Sequence, residues 1–263
     1  MKKKIYFLAG LPRSGSTLLG SILSQNPQIT VTPTSPLLDL LCLTNESINK
    51  LCANYTFDKV SVESNVYRGI LGSFYDHIAT DFVVDKHRGW PRNINPVRMF
   101  IDENPKIVCT YRPVSEIVSS YILLMGRSER NFVDEHLARD GMARTVENRC
   151  RVLWENYISD PYSSTIHGIR NCRANMHFVH YSDMMDRPHE VLSGIYEFLD
   201  GCPAHIHDFG NISNACREDK DLAWGLEGLH DIRSSLGRTS PPPEEVIGRK
   251  LCGYYDQFSI DPS

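Results

Sequence analysis

Residues 5–23 read IYFLAGLPRSGSTLLGSIL, with an apolar run, a glycine-containing turn and a second apolar segment. The run at 5–10 is typical of a strand covered on both faces, and the residues after the turn repeat at helical spacing. Gly10 and Gly15 allow the backbone to turn sharply, and the free N–H groups that open a helix attract anions. The sequence therefore predicts a strand, a phosphate-binding turn and a helix.

This turn departs from the Walker A pattern G-x-x-x-x-G-K-[ST]. Gly10, Gly15 and Thr17 fit the pattern, but Ser16 stands where the phosphate-binding lysine belongs. The basic residue of the turn is Arg13 instead. Because an ATPase or kinase would lose its main contact to the β- and γ-phosphates, we expect a different phosphorylated ligand.

A second strand, turn and helix are predicted over residues 106–125. An apolar run ends at Arg112-Pro113 and is followed by apolar residues at helical spacing. Proline suits the first turn of a helix, so Arg112 should lie at the carboxyl end of a strand, the edge where open α/β sheets bind ligands. Ser120 follows two helical turns later and could face the same ligand.

Together the two segments resemble the sulfotransferase family, whose sulfuryl donor is 3′-phosphoadenosine-5′-phosphosulfate (PAPS) and whose product is 3′,5′-adenosine diphosphate (PAP). The first turn resembles the family's 5′-phosphosulfate loop, which implies donor contacts from Arg13, Ser14, Gly15, Ser16 and Thr17. Arg112 with Ser120 resembles the 3′-phosphate site of that family. The resemblance also implies that Arg13 neutralises charge on the bridging oxygen and that no metal is required.

Two further segments resemble the family less closely. Residues 177–185, with the helical pattern after them, resemble the family's Tyr-Glu-Asp-Leu strand, loop and helix. The resemblance implies that Tyr181 lies near the adenine. The alternative is that Tyr181 is an aromatic residue that only packs on the next helix. Arg233 and Arg238 flank a glycine-containing turn and could close over the 3′-phosphate as the family's late basic loop does. A solvated basic loop is the alternative, since the Arg-Lys-Gly and Gly-Asp-Trp elements of the cytosolic enzymes are absent.

A candidate general base follows the apolar run 82–85. This run leads into Lys86 and His87 and resembles the family strand that delivers a lysine and, in cytosolic members, a histidine base two residues later. Here the two are adjacent, so they face opposite sides of a strand and the two roles compete. His87 is the preferred base because its ordinary pKa is near neutral. Glu63 and Asp39 are the competitors, since related protein-tyrosine sulfotransferases use a glutamate.

The overall organisation follows from strand-like runs at 5–10, 29–32, 82–85, 107–111 and 177–181, which alternate with helical patterns. This alternation predicts a three-layer α/β fold with a central parallel sheet and helices on both faces, and the family resemblance implies a P-loop-like fold. We expect a single domain over residues 1–263. Inserts at 34–81 and 126–175 are expected to shape an acceptor pocket or a lid.

Composition narrows the class of protein. A net charge of −4 gives no general attraction to nucleic acid or to a membrane. The apolar run after residues 2–4 is too short for a signal peptide, no transmembrane stretch occurs, and the cysteines form no Cys-x-x-Cys pair. We therefore expect a cytoplasmic enzyme without a metal, acting on a small-molecule or peptidyl hydroxyl, or on an amine; the oligomeric state stays open.

Two other functions are compatible with parts of the sequence. Residues 82–85 resemble a Walker B strand, so Asp85 could hold Mg²⁺ in a nucleotide or small-molecule kinase that uses ATP. That hypothesis leaves Ser16, Arg112 and Ser120 unexplained. A binding module that senses phosphoadenosine or a sugar phosphate would need no base, whereas His87 and Glu63 are available as bases.

Overall fold

A computed structural model of the chain describes residues 3–54, 58–216, 225–237 and 240–262. The described residues contain one five-stranded sheet in the order β2-β3-β1-β4-β5, with every neighbouring pair parallel. The strands are β1 (Lys4–Gly10), β2 (Ile29–Thr34), β3 (Phe82–Lys86), β4 (Ile107–Tyr111) and β5 (Met176–His180). Each predicted strand is present, with bounds that differ by at most two residues.

The helices begin and end as follows: α1 (Ser16–Leu23), α2 (Leu37–Cys52), α3 (Lys59–Ser73), α4 (Trp90–Asn93), α5 (Asn95–Phe100), α6 (Val114–Met125), α7 (Phe132–Arg139), α8 (Val146–Leu153), α9 (Ser159–Cys172), α10 (Tyr181–Asp186), α11 (Pro188–Phe198), α12 (Pro243–Ile247) and α13 (Arg249–Tyr255). A π-helical turn, Trp154–Ile158, joins α8 to α9. Short 3₁₀ turns lie at Arg173–Asn175 and Asp256–Phe258.

Helices cover both faces of the sheet because successive side chains of a strand point to opposite sides. Tyr6 and Leu8 of β1 pack in one apolar cluster with α1 and α11. Phe7 and Ala9 pack in another cluster with α2, α3, α4, α5 and α9. Such two-sided burial explains why the strands read as nearly continuous apolar runs. The predicted three-layer α/β fold is confirmed.

The two predicted inserts are helical and lie partly in the core. Leu37, Leu38 and Leu41 of α2 belong to the cluster beneath the sheet, and α9 contacts β1 and β5. Helices α7 and α8 instead pack with α6, α12 and α13 in a third cluster. The late part of the insert at 126–175 is therefore the crossover into β5. That the inserts shape an acceptor site, and that residues 1–263 form one domain, stay predictions.

The topology determines where a ligand can bind. The chain leaves β1 toward one edge of the sheet and leaves β4 toward the other, so the switch point lies between the carboxyl ends of these neighbouring strands. Ligands of open α/β sheets bind outside such a point. Within the described residues, no helix is both long and apolar enough to cross a membrane.

Candidate functional site

The turn after β1 has an unusual backbone. Gly10 has φ 142°, Gly15 has φ 92°, and Arg13 is the non-glycine residue of the described chain with positive φ, at 57°. A Cβ on Gly10 would lie 2.2 Å from the carbonyl oxygen of Thr110, so only glycine lets β1 approach β4 here. The close contact brings the first turn next to the end of β4, as the sequence predicted for the two segments.

Ser14 stabilises this turn from within. Its hydroxyl is buried and lies 2.6 Å from the carbonyl oxygen of Leu11 and 2.7 Å from Oγ1 of Thr110. The side chain thus connects the turn to β4 and faces away from the cavity described next. The contact of Ser14 with the donor stays a prediction. In this conformation only the backbone of Ser14 could make that contact.

A cavity of about 320 Å³ opens at the carboxyl edge of the sheet. This volume lies within the range of about 300–1,000 Å³ that is usual for small-molecule sites. The predicted site residues that line it are Arg13, Gly15, Ser16, Thr17, Lys86, Arg112, Ser120, Tyr181 and Arg233. The two predicted sites therefore share a single cavity, while Arg238 lies outside the described residues.

Lys86 extends from β3 to the phosphate-binding turn. The residue is only 7% exposed, and its Nζ donates to Oγ1 of Thr17 at 3.1 Å. Its backbone N–H donates to Oγ1 of Thr32 at 3.0 Å, which fixes the end of β3. A neighbouring strand thus brings an ammonium group to the turn whose Walker A lysine is replaced by Ser16.

Arg112 is held on several sides. Its Nε donates to Oε2 of Glu116 at 2.7 Å, and its guanidinium lies 4.3 Å from the ring centre of Tyr181. Its Nη1 is 3.4 Å from the carbonyl oxygen of Arg13. With a side chain only 10% exposed, Arg112 has little freedom, and the guanidinium is preorganised at the cavity wall.

Arg13 connects the two halves of the cavity. Its Nε donates to Oγ of Ser120 at 3.2 Å, and its Nη1 donates to the carbonyl oxygen of Leu229. The first contact joins the turn after β1 to α6, and the second joins it to the segment 225–237. Cationic side chains of the predicted 5′ and 3′ sites thus line the same cavity.

His87 lies on the other side of the β3 end. Its Nδ1 accepts from the N–H of Gly89 at 3.1 Å, and its Nε2 lies 3.6 Å from Oδ1 of Asp39. Burial lowers the pKa of His87 in spite of the nearby charge of Asp39. Among the described residues, His87 is outside the cavity lining, as the alternation with Lys86 requires. Its role as a base stays a prediction.

Glu63 and Asp39 also lie apart from the described cavity lining. Glu63 is on α3, with Oε1 3.7 Å from Nζ of Lys59. His230 and Asp231, two possible bases that the sequence did not single out, do line the cavity. They follow no periodic or motif pattern, so no signal in the sequence could have indicated them.

Asp85 is fully buried on the face of the sheet opposite to Lys86. Its carboxylate accepts from the hydroxyl of Tyr75 and from Nε1 of Trp90, the latter at 2.6 Å. Burial raises the pKa of Asp85. Both oxygens are thus hydrogen-bonded inside the core, unlike those of a Walker B carboxylate. In the part of the chain that the structure describes, no group of three or more His, Cys, Asp or Glu residues could hold a metal ion.

The model of the sulfotransferase family matches residues 6–203, about three quarters of the chain. The chain belongs to the sulfotransferase family. Membership identifies a transferase that moves a sulfuryl group. No curated protein matches the sequence.

Three similar solved structures are distant in sequence. The sulfotransferase domain of the curacin biosynthetic pathway is 17% identical with a TM-score of 0.51, covering 95% of this chain and 98% of that one. A mouse sulfotransferase complexed with PAP is 13% identical with a TM-score of 0.45, covering 87% and 63%. A sulfotransferase from Alicyclobacillus acidocaldarius is 15% identical with a TM-score of 0.46, covering 84% and 88%. Of these three, the curacin-pathway domain has a TM-score above 0.5, and at 17% identity its likeness shows the fold alone.

Proposed function

We propose that this sulfotransferase moves the sulfuryl group of PAPS to a hydroxyl or amine acceptor by in-line displacement. The observation that carries the proposal is the single cavity lined by the turn after β1, by Lys86 and by Arg112 with Ser120. A nucleotide with a phosphate at 3′ and a phosphosulfate at 5′ needs cationic groups at both ends. Family membership supplies the reaction class, and the two cationic ends support this donor.

At the 5′ end, the proposed ligands are the amide groups of the turn, Thr17, Arg13 and Lys86. As the acceptor forms a bond to sulfur, the bond from sulfur to the bridging oxygen breaks and PAP leaves. Arg13 and Lys86 stabilise the negative charge that develops on that oxygen, while the turn keeps the phosphate in line. Removal of one such donor typically costs about 10²- to 10³-fold in rate.

At the 3′ end, Arg112 and Ser120 are the proposed ligands of the 3′-phosphate, with Arg233 beside them and Tyr181 near the adenine. The contacts of Arg112 with Glu116 and Tyr181 support this role, because a guanidinium whose orientation is already fixed loses less entropy on binding.

His87 is the proposed general base, and Glu63 and Asp39 are its competitors. Nδ1 of His87 is engaged by the N–H of Gly89, so a proton would have to be accepted at Nε2, which lies toward Asp39. Substitution His87→Ala tests this assignment once an acceptor is known. Full turnover of that variant would move the assignment to Glu63 or Asp39, with Asp231 of the cavity lining as a further carboxylate to test.

Binding experiments separate this proposal from the kinase alternative. PAP at about 100 times its Kd should stabilise the protein by about 2.7 kcal/mol in a thermal shift assay. ATP with Mg²⁺ should have little effect, since Ser16 replaces the lysine and Asp85 is hydrogen-bonded to Tyr75 and Trp90. If ATP with Mg²⁺ stabilises the protein and PAP does not, the kinase hypothesis is correct.

The variant Arg112→Ala refines this test. We expect it to abolish the preference for PAP over adenosine monophosphate, whereas Arg98→Ala, at an exposed position of α5, should leave the preference intact. An unchanged preference in Arg112→Ala would mean that the 3′-phosphate binds elsewhere. A cytoplasmic location and a small-molecule or peptidyl acceptor remain part of the proposal and rest on composition and family.

A further inference from the structure

The cavity has more positive charge than the proposed donor site uses. The cationic side chains that line it are Arg13, Lys86, Arg88, Arg112, Arg127 and Arg233, against Asp231 as the carboxylate of the described lining. Under the proposed function, the 5′ and 3′ groups of the donor account for four of these cations. Arg88 and Arg127 have no assigned role.

Arg88 lies on the side of the cavity where the sulfuryl group would be transferred. It follows Lys86 by two residues, and Lys86 contacts Thr17 of the 5′ turn. Arg127 lies seven residues beyond Ser120, about 10 Å further along the direction of α6. Of the two arginines, only Arg88 therefore adjoins the 5′ end, and an in-line acceptor has to approach that end.

The backbone around Arg88 is fixed, while its side chain is exposed. The carbonyl oxygen of Arg88 accepts from Oγ of Ser164 at 3.2 Å, and Nε1 of Trp90 donates to Asp85. The N–H of Gly89 is bound to His87. Arg88 makes no ion pair with a carboxylate of the described residues. The guanidinium of Arg88 thus extends from a fixed turn into the cavity, where its N–H groups can donate hydrogen bonds to a ligand.

We infer that Arg88 is a specificity residue for the acceptor and that the acceptor has a carboxylate close to the hydroxyl or amine that is sulfated. This inference rests on the proposed function. A guanidinium presents a planar set of N–H donors that matches a carboxylate in two parallel, charge-assisted hydrogen bonds. Arg127, the other cation that the donor leaves unassigned, adds positive potential to the cavity and favours an anionic acceptor over a neutral one.

The test compares carboxylates with their own amides on the PAP-saturated protein. Isothermal titration uses three matched pairs: mandelate and its amide, glucuronate and its amide, and glycolate and its amide. We expect at least one carboxylate to bind about tenfold or more tightly than its amide, as one charge-assisted contact provides. Arg88→Gln should abolish this preference, and Arg88→Lys should keep most of it.

Arg98→Gln is the matched control, because it removes the same charge from an exposed position outside the described cavity lining. The preference should survive in this variant, and PAP should bind to Arg88→Gln as it does to the wild type. The inference is overturned if no pair shows a preference, if the preference persists in Arg88→Gln, or if Arg98→Gln loses it as well. A loss of PAP affinity in Arg88→Gln would overturn it too, by making Arg88 a donor ligand. Absence of PAP binding in the wild type would instead contradict the proposed function.

Discussion

Substitution of Gly15 by alanine perturbs the turn at its closest approach to α10. Gly15 has φ 92°, and a Cβ there would lie 2.6 Å from Cε of Met184 and 2.9 Å from Cδ2 of Tyr181. The methionine end is flexible and can move. The tyrosine ring cannot move without losing its stacking on Arg112, 4.3 Å away.

The expected cost has two parts. A non-glycine residue in this region of positive φ costs about 1–3 kcal/mol. Overlap with a packed ring adds about 1 kcal/mol, so Gly15→Ala should lose about 2–4 kcal/mol of unfolding free energy. For a chain of this size, the loss corresponds to a fall in melting temperature of roughly 5–15 °C. Displacement of Tyr181 and Arg112 should also weaken PAP binding by about tenfold or more.

Thermal melting and isothermal titration with PAP measure the two effects. Gly69→Ala is the matched control, because Gly69 is an exposed residue of α3 and, apart from its chain neighbours and its own helix backbone, no described atom lies within 4 Å of the added Cβ. That variant should be more stable by about 0.5–1 kcal/mol, with PAP binding unchanged. If Gly15→Ala melts with the wild type and binds PAP equally well, the account of the turn is wrong.

Three further predictions concern the core, the pH response and the 5′ end. Trp90→Phe removes the N–H that donates to buried Asp85 and should cost about 2 kcal/mol in urea unfolding; an unchanged midpoint would contradict this. Burial and the nearby His205 lower the pKa of His207 in the folded protein. Below about pH 6.5 the unfolded state therefore binds more protons at this histidine than the folded state does, and the free energy of unfolding falls on acidification. His207→Gln should flatten that fall. An equally steep fall in the variant would exclude His207. Lys86→Met removes the ammonium near Thr17 and should weaken PAP binding about tenfold or more by titration; unchanged affinity would move the 5′ contact elsewhere.

The sheet and its ligand-binding edge could be predicted because local signals specify them. Apolar runs gave all five strands, and Arg112-Pro113 located the end of β4 to the residue. The strand order could not be predicted, since pairing joins segments far apart in the chain. Tyr181, which the sequence places at the end of the predicted strand 177–181, instead opens helix α10. Its ring stacks on Arg112, a contact between distant segments that the local sequence does not encode.

Side-chain directions at the site were only partly predictable. Alternation on a strand indicates that Lys86 and His87 diverge, but not which of them faces the cavity. The hydroxyl of Ser14 turns inward because Thr110, 96 residues away, offers it hydrogen bonds. Arg88 and Asp231 lie in irregular segments, where neither periodicity nor a motif indicates which side chains reach a ligand.

The central claim is that one nucleotide is bound at both of its charged ends within one cavity. Isothermal titration of the wild-type protein with PAP, adenosine 5′-monophosphate and adenosine 3′-monophosphate measures this directly. Each end contributes charge-assisted hydrogen bonds of about 1.5–3 kcal/mol, so PAP should bind at least about tenfold more tightly than either monophosphate. If either monophosphate binds as tightly as PAP, one of the two ends makes no contact and the claim is contradicted.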